Sequence, residues 1–146
     1  MKLHLGAGND IRTGYINHDL VKHRPEIDIA FDLERDWPST YIGLVEEIIA
    51  FDVVEHLDDV VAFMNRCWDC LMVNGVLYMK ACGWRNPNVH VDPTHKRGFD
   101  IDSFDYFDPE TDLGKQYGFY TDKRWQIIEK HYDRKQNVII ELKPRK

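Results

Sequence analysis

The first half of the chain alternates short apolar runs with polar joints. Five runs rich in β-branched or aromatic residues predict strands: KLHL (2–5), YINHDL (15–20), IDIAFDL (27–33), EEIIAFDVV (46–54) and GVLYMKAC (75–82). Several of them are apolar at consecutive positions, which is typical of strands that are covered on both faces. The pattern therefore predicts a largely buried sheet.

One apolar pattern has the period of a helix rather than of a strand. Between the fourth and fifth predicted strands, apolar residues recur at spacings of three and four and so share one helix face: Leu57, Val60, Val61, Met64, Trp68, Leu71 and Met72. Asn74 and Gly75 then predict a left-handed end to this helix. A strand, a helix and a strand in this order predict a right-handed crossover and a parallel sheet.

The end of the chain has a different organisation. The runs RWQIIEKHYDR (124–134) and NVIIELK (137–143) are separated only by Lys135 and Gln136, which predicts an antiparallel hairpin. Residues 83–123 have the composition of a loop, and a loop this long in a compact domain is usually functional. Its many aromatic residues predict either a small core over the sheet or a stacking wall for a sugar or base.

Composition limits the class of protein. A chain of 146 residues predicts a single domain, residues 1–146. No apolar stretch approaches the ~18 residues of a membrane helix, and no signal-peptide pattern opens the chain. Three cysteines make no disulfide framework, which favours a cytoplasmic location. The net charge of −6 argues against duplex nucleic acid as a partner.

A glycine turn and three aspartates mark one edge of the predicted sheet. Gly6 and Gly8 follow the first strand in LHLGAGND, where a ligand's polar group can approach bare backbone amides, although a plain tight turn uses glycine in the same way. Asp19, Asp32 and Asp52 end the next three strands. Open α/β sheets bind ligands at this edge, and an aspartate beside a glycine turn can accept both hydroxyls of a ribose. The pattern predicts a nucleoside-containing ligand.

In this order, the segments resemble those of the class I, Rossmann-like S-adenosylmethionine-dependent methyltransferases. LHLGAGND resembles their first motif, YINHDL their ribose-binding strand end, IIAFDVVEHL their fourth motif, and LMVNGVLYMKA the helix end and fifth strand that follow. The terminal hairpin resembles the sixth and seventh strands of that fold. The resemblance implies a three-layer α/β sandwich with a mostly parallel seven-stranded sheet, S-adenosyl-L-methionine as the cofactor, and methyl transfer as the activity.

The resemblance also assigns roles by position, beginning with the glycine turn. Gly6, Ala7 and Gly8 would line the amino-acid end of the cofactor, and Asp19 would hold the ribose hydroxyls. Only eleven positions separate Gly8 from Asp19, against roughly twenty in a dinucleotide fingerprint, so the first helix is expected to be shortened. A dinucleotide would need a full helix N-terminus for its pyrophosphate, and the spacing therefore argues against one.

Two further pairs of residues complete the cofactor site that the resemblance implies. Asp32 and Leu33 would lie at the adenine. Asp52 and Val53 would lie below the methyl group that is transferred. We expect all of these residues to meet at one edge of the sheet.

Three histidines are the candidates for catalysis on the acceptor side. His56 follows the fourth strand, where the acceptor should lie, although hydrogen bonding at a helix start would explain it equally well. His90 and His95 lie in NPNVHVDPTHKRGF (86–99), which follows the fifth strand at the same edge. Transfer to oxygen or nitrogen needs a group that takes a proton, and histidine is suited to this task. A purely structural loop is the alternative.

The same segment contains the pattern H-x-D-x-x-H, formed by His90, Asp92 and His95, which is a possible metal triad. Pro93 breaks any helix that would align the three residues, and no fourth ligand is evident, so we expect no metal site. Lys96 and Arg97 add positive charge that would suit an anionic or sugar-like small-molecule acceptor.

Two functions follow from the sequence. The first is a small methyltransferase that acts on an oxygen or nitrogen atom of an undetermined small molecule. The second is a catalytically inactive module that binds S-adenosylmethionine or a nucleoside, as a sensor or a partner subunit would. The small size of the chain and the shortened first helix motivate the second function. Whether the histidines reach the site of methyl transfer distinguishes the two.

Overall fold

A seven-stranded sheet organises the computed structural model, which describes residues 1–146. The strands are β1 (Lys2–Leu5), β2 (Ile16–Asp19), β3 (Ile29–Ala30), β4 (Val45–Phe51), β5 (Leu71–Ala81), β6 (Trp125–Tyr132) and β7 (Val138–Pro144). Their order is β3-β2-β1-β4-β5-β7-β6. The pairs from β3 to β5 are parallel, whereas β7 is antiparallel to both β5 and β6. The predicted α/β fold, with a mostly parallel sheet and a terminal hairpin, is confirmed.

Helices are few in this structure. The helix α1 (Val60–Cys70) makes the crossover between β4 and β5, and the two others, α2 (Asn88–Val91) and α3 (Asp112–Tyr117), are short. Residues 6–15, between β1 and β2, contain turns and no helix. The first helix is therefore not only shortened but replaced by turns. None of the helices has the length and apolar character needed to cross a membrane.

The crossover helix α1 ends earlier than its apolar pattern predicts. Asp59 caps its start, since the Asp59 side chain accepts a hydrogen bond from the backbone N–H of Ala62 at 2.8 Å. The buried residues of its face are Phe63, Met64, Cys67 and Cys70. Leu71 already has extended geometry and pairs with Val45 in the sheet, so the last residues of the predicted helix belong to β5.

Asn74 shows why the prediction of the helix end was wrong. Its φ of 67° is left-handed, as predicted, but it lies inside β5. The register between β4 and β5 shifts here, between the pairs made by Val45 and Glu47. The left-handed conformation of Asn74 therefore belongs to an irregularity in β5 and does not end a helix.

The third strand is much shorter than predicted. It is an edge strand of two residues, and only Ile29 and Ala30 pair with β2. The side chain of Asp32 accepts a hydrogen bond at 2.9 Å from the backbone N–H of Glu34 and so forms a local turn. This turn ends the strand before Asp32 and leaves that residue in a loop.

The two faces of the sheet differ in burial. At the centre of β4, Ile48, Ile49 and Ala50 are all buried, as expected for a strand covered on both faces. In β5 and β7, by contrast, buried residues alternate with half-buried ones. The prediction of cover on both faces is therefore wrong for this half of the sheet, where only one face is fully packed.

Candidate functional site

A cavity of about 640 Å³ opens at the carboxyl ends of β1, β2 and β4. Its volume falls within the roughly 300–1,000 Å³ of small-molecule sites. Six of the predicted cofactor residues line it: Gly6, Asp19, Asp32, Leu33, Asp52 and Val53. We call it the glycine-turn cavity. Ala7 and Gly8 do not line it, so the structure does not bring these two predicted residues to the cavity.

The turn after β1 requires glycine at its first position for two reasons. Gly6 has a φ of +63°, and a Cβ atom added there would lie 2.6 Å from Cγ2 of Val53. Neither the conformation nor the contact is compatible with an ordinary side chain. Gly8 has a φ of +54° but no atom within 4 Å of such a Cβ, so only its conformation favours glycine.

The backbone amides of this turn already have partners inside the protein. The N–H of Ala7 donates to the carbonyl of His18 at 2.8 Å, and the N–H of Gly8 donates to Oδ2 of Asp19 at 2.8 Å. The N–H of Gly6 donates to Nδ1 of His18 at 3.4 Å. The amides of Gly6, Ala7 and Gly8 are therefore not bare. The turn instead holds the end of β2 in place beside the cavity.

His18 is a residue of the cavity that the sequence did not single out. Its Nδ1 accepts from Gly6, and its Nε2 lies 2.8 Å from the carbonyl of Phe31, to which it donates. Burial lowers the pKa of His18, which keeps the ring neutral and suits this tautomer. The imidazole therefore ties the glycine turn to the residues that follow β3.

Asp19 lies at the end of β2 as a carboxylate with two backbone donors. The amides of Leu20 and Gly8 donate to its oxygens at 2.7 and 2.8 Å. Burial by itself raises the pKa of Asp19, but these hydrogen bonds and the neighbouring His23 outweigh it, so the pKa is lowered. The side chain stays ionised, and its remaining lone pairs can accept from the hydroxyls of a ligand.

Asp52 stands at the end of β4 in an unusual backbone conformation. Its φ is 57°, in the left-handed region that residues other than glycine rarely adopt. Its carboxylate pairs with Nζ of Lys80 at 2.7 Å, and its N–H donates to the carbonyl of Lys80 at 2.8 Å. Such strain is concentrated at functional sites, where surrounding contacts hold it. Here both contacts come from β5.

A second cavity of about 410 Å³ adjoins the first. Only two of its twelve lining residues are hydrophobic, so we call it the polar cavity. The two cavities share Asp52, His56 and His95. These three residues therefore stand where the cavities meet.

His56 and His95 form a pair at this junction. Their ring centroids lie 4.7 Å apart, and Nδ1 of His56 lies 2.9 Å from Oγ1 of Thr94. Burial lowers the pKa of His56, and positive charge on His95 lowers it further. Nε2 of His95 lies 3.7 Å from Oδ2 of Asp92. Two of the three predicted catalytic histidines are thus brought together.

His90 does not join this pair. It lies exposed on α2 and lines neither cavity, so the structure does not bring this catalytic candidate to the site. The histidines of the H-x-D-x-x-H pattern therefore do not form one cluster. His95 lies beside His56, which follows β4, and not beside His90.

The segment that carries His95 is fastened to the residues after β4. The N–H of Lys96 donates to the carbonyl of Glu55 at 2.7 Å, and Nη1 of Arg97 donates to the carbonyl of Leu57 at 2.8 Å. Lys96 lines the glycine-turn cavity but is ion-paired with Asp58. Both cations that were predicted to favour an anionic acceptor therefore have partners within the protein: Arg97 binds a backbone carbonyl, and Lys96 binds a carboxylate.

Glu55 is the second residue of this region that the sequence did not single out. It is fully buried, it lines the polar cavity, and neither carboxylate oxygen has a hydrogen-bond partner. Burial raises the pKa of Glu55 to about 7, and the negative charge of Asp52 adds to the increase. In the sequence, only its position next to His56 could have marked Glu55 as a residue of the site.

The aromatic residues of the long loop lie away from both cavities. Phe99, Phe104 and Phe107 are buried in the core, and Tyr106 stacks on Tyr120 with a centroid distance of 5.8 Å. No aromatic residue of positions 99–125 lines either cavity. Four of them, Phe99, Tyr106, Phe107 and Tyr120, line a separate cavity of about 500 Å³. The loop thus lies outside the two adjoining cavities, and its role as a stacking wall stays a prediction.

Comparison with known proteins shows the fold. No family model and no curated protein matches the sequence. The PH0226 protein from Pyrococcus horikoshii is 11% identical with a TM-score of 0.62, and the match covers 99% of this chain and 81% of that one. A methyltransferase dependent on S-adenosylmethionine (SAM) from Thermotoga maritima is 14% identical with a TM-score of 0.65, covering 97% and 80%.

A third solved structure carries a ligand. The trans-methyltransferase CalH, in complex with SAH, is 17% identical with a TM-score of 0.64, and the match covers 98% of this chain and 51% of that one. The chain therefore spans about half the length of CalH. At these identities the similarity establishes architecture only. The protein has the fold of the class I, Rossmann-like SAM-dependent methyltransferases.

Proposed function

We propose that the protein transfers a methyl group from SAM to an oxygen or nitrogen atom of a small polar molecule. The observation that carries this proposal is the meeting of two cavities at Asp52, His56 and His95. The glycine-turn cavity would hold the cofactor, and the polar cavity would hold the acceptor. A methyl donor and its acceptor must approach in line, which two adjoining cavities allow.

The residues of the glycine-turn cavity fit this cofactor. The ionised Asp19 would accept from the ribose hydroxyls, while Phe31 and Leu33 offer apolar surface to the adenine. Asp52 would face the sulfonium with its negative charge. When bound, SAM supplies an electrophilic methyl group, and the protein supplies position and control of the acceptor's proton.

The polar cavity indicates the chemistry of the acceptor. Asn86, Asn137 and Lys135 line it, and Nδ2 of Asn86 donates to Oδ1 of Asn137 at 2.8 Å. Amide and ammonium groups bind hydroxyls and anions, which favours a sugar-like or anionic small molecule. His56, with its lowered pKa, would take the acceptor's proton as the methyl–sulfur bond breaks and the new bond to oxygen or nitrogen forms.

A specific observation also supports the inactive binding module. Turns replace the first helix, and half of the sheet is fully packed on one face only. Both features favour a partner subunit over an independent enzyme. Such a module would bind SAM without transferring its methyl group.

Two measurements test the proposal. Calorimetric titration of the purified protein with SAM, SAH and NAD should show binding of the first two and not of NAD. Incubation with SAM labelled on the methyl group and pools of small polar metabolites should then give a labelled product. Binding of NAD alone would overturn the cofactor, and binding of SAM without any labelled product would favour the inactive module.

A further inference from the structure

We propose that Glu55, His56 and His95 bind a divalent transition-metal ion at the junction of the two cavities. One donor atom from each of these residues lies within 4.8 Å of the other two. Two imidazoles and one carboxylate are a ligand set that zinc and other divalent transition metals take in proteins. The ligands come from two segments, since Glu55 and His56 follow β4 and His95 follows α2.

The polar atoms of this cluster lack partners within the protein. Both carboxylate oxygens of Glu55 and Nδ1 of His95 are buried without a hydrogen bond. Buried polar groups in folded proteins are nearly always paired, and an unpaired carboxylate is especially costly. A cation held by this carboxylate and these imidazoles would compensate the buried groups.

Neighbouring residues engage one nitrogen of each imidazole and leave the other available to a ligand. Nδ1 of His56 is engaged by Oγ1 of Thr94, which leaves Nε2 of His56 free. Asp92 lies beside Nε2 of His95, which leaves its Nδ1 free. Thr94 in turn donates to Asp92 at 2.7 Å, so one small network fixes both rings. Partners of this kind set the tautomer of histidine ligands in metal sites.

The spacing of the donors is within reach of that of a metal-bound site. In a tetrahedral site with metal–donor bonds of about 2.1 Å, two ligand atoms lie about 3.4 Å apart. The observed separations of at most 4.8 Å therefore require the side chains to close by up to about 1.4 Å when the ion binds.

Three protein ligands leave coordination positions open, as in catalytic metal sites. Glu55, His56 and His95 all line the polar cavity, so the open positions face the space assigned to the acceptor. An ion there would polarise the acceptor's oxygen or nitrogen and promote loss of its proton, in place of direct proton removal by His56. This role rests on the proposed function, whereas binding of the ion does not.

The test measures metal binding by the full-length, untagged protein after removal of metals with a chelator. Calorimetric titration with Zn²⁺ and with Mn²⁺, without SAM, should show one ion per chain for at least one of the two metals. Glu55→Gln and His95→Gln should each weaken that binding by about 10–100-fold or more, since even loss of an outer partner has this effect. Circular dichroism checks that both variants fold.

His90→Gln is the matched control, because His90 belongs to the same sequence pattern but lies outside the cluster. Its affinity for the ion should equal that of the wild type. No binding of either metal, or equal binding by wild type and both ligand variants, would overturn the site. A separate titration of the metal-free protein with SAM keeps the two proposals apart: a protein that binds SAM but neither metal overturns only the ion site, and a protein that binds a metal but not SAM overturns only the methyltransferase.

Discussion

Asp19 combines two properties at the residue scale that suit a ligand for ribose. It is held as a carboxylate by the amides of Gly8 and Leu20, and it borders the glycine-turn cavity. Asp19→Ala should weaken SAM binding by about 1.5–3 kcal/mol, the range for hydrogen bonds to a charged group. Calorimetric titration measures the change. Asp122→Ala is the control, since Asp122 is exposed and lines neither cavity. Equal affinity in the two variants would place the ribose elsewhere.

The two glycines of the turn predict different costs of substitution. Gly8→Ala introduces only a left-handed alanine and should destabilise the protein by about 1–2 kcal/mol. Gly6→Ala adds the contact with Val53 and should cost about 2–4 kcal/mol. Urea unfolding of both variants measures the difference. In a Val53→Ala background, Gly6→Ala should lower the free energy of unfolding by less than it does in the wild type, because the contact with Val53 is then absent. The same cost for both single variants would contradict the close approach.

His18 predicts a pH dependence of stability. Its pKa is lowered in the folded protein by burial, so between that value and about 6.5 the unfolded chain binds a proton that the native ring does not. Its contribution to the free energy of unfolding is therefore complete above about pH 6.5 and is lost as the pH falls through the folded pKa. Protonation would also place a hydrogen on Nδ1, against the N–H of Gly6.

The check is urea unfolding of the wild type and His18→Gln at several pH values between about 8 and 5. The loss of stability on acidification should be smaller in His18→Gln. His4, a second buried histidine with a lowered pKa, is present in both proteins and cancels in the comparison. Parallel curves for the two proteins would show that His18 does not carry the effect.

At the scale of elements, position in the sheet decides how far the sequence predicts the structure. The strands β1 and β7 are recovered to within one residue at each end, because their apolar runs pair with neighbours on both sides. The strand β4 is recovered at its start but ends three residues before the end of its predicted run. The edge strand β3 has one neighbour, and a local turn at Asp32 shortens it. The end of α1 was missed since Leu71 and Met72 continue its apolar pattern, whereas Leu71 in fact pairs with Val45 of β4.

The same limit applies to the candidate site. Asp19 and Asp52 could be located from the sequence, because their positions depend only on where β2 and β4 end. Glu55 and His18 could not, since an unpartnered carboxylate and an oriented imidazole arise from contacts between distant segments. His90 was predicted as a catalytic residue because it lies in the same segment as His95. In the structure His90 is exposed, whereas His95 lines the polar cavity.

The segment of residues 92–97 acts as an element that places His95. Its main anchor is Arg97, whose guanidinium donates to the carbonyls of Leu57 and Asp58 at 2.8 and 3.2 Å. Arg97→Met should lower stability by about 1.5–3 kcal/mol, the range for hydrogen bonds from a charged group, and should weaken metal binding by moving His95 from His56. Urea unfolding and Zn²⁺ titration measure the two effects.

Lys96→Met is the matched control for that prediction. Lys96 makes an exposed ion pair with Asp58, and such pairs contribute about 0–1 kcal/mol. Lys96→Met should therefore change neither the free energy of unfolding nor the affinity for Zn²⁺ by more than a small amount. Comparable losses in the two variants would show that charge in this segment, and not the anchor to the backbone, positions His95.

At the scale of the whole molecule, the two cavities draw on different parts of the chain. The glycine-turn cavity is lined mainly by residues 6–57, whereas the polar cavity also uses β5, α2 and the terminal hairpin. Asn137 is the contribution of the hairpin. It is buried, its Oδ1 accepts from Asn86, and its Nδ2 donates to Asp133 at 3.0 Å. Changes here should therefore affect the acceptor side and leave the cofactor side intact.

Asn137→Ala tests this division of the molecule. Loss of its buried hydrogen bonds should lower the free energy of unfolding by about 1–3 kcal/mol, while SAM affinity stays within about threefold of the wild type, under ~1 kcal/mol. Urea unfolding and calorimetric titration give both values, and the KM for the acceptor should rise once an acceptor is known. If SAM binding falls in Asn137→Ala as far as in Asp19→Ala, the cavities act as one site, and the separate acceptor space that supports the proposed methyl transfer is lost.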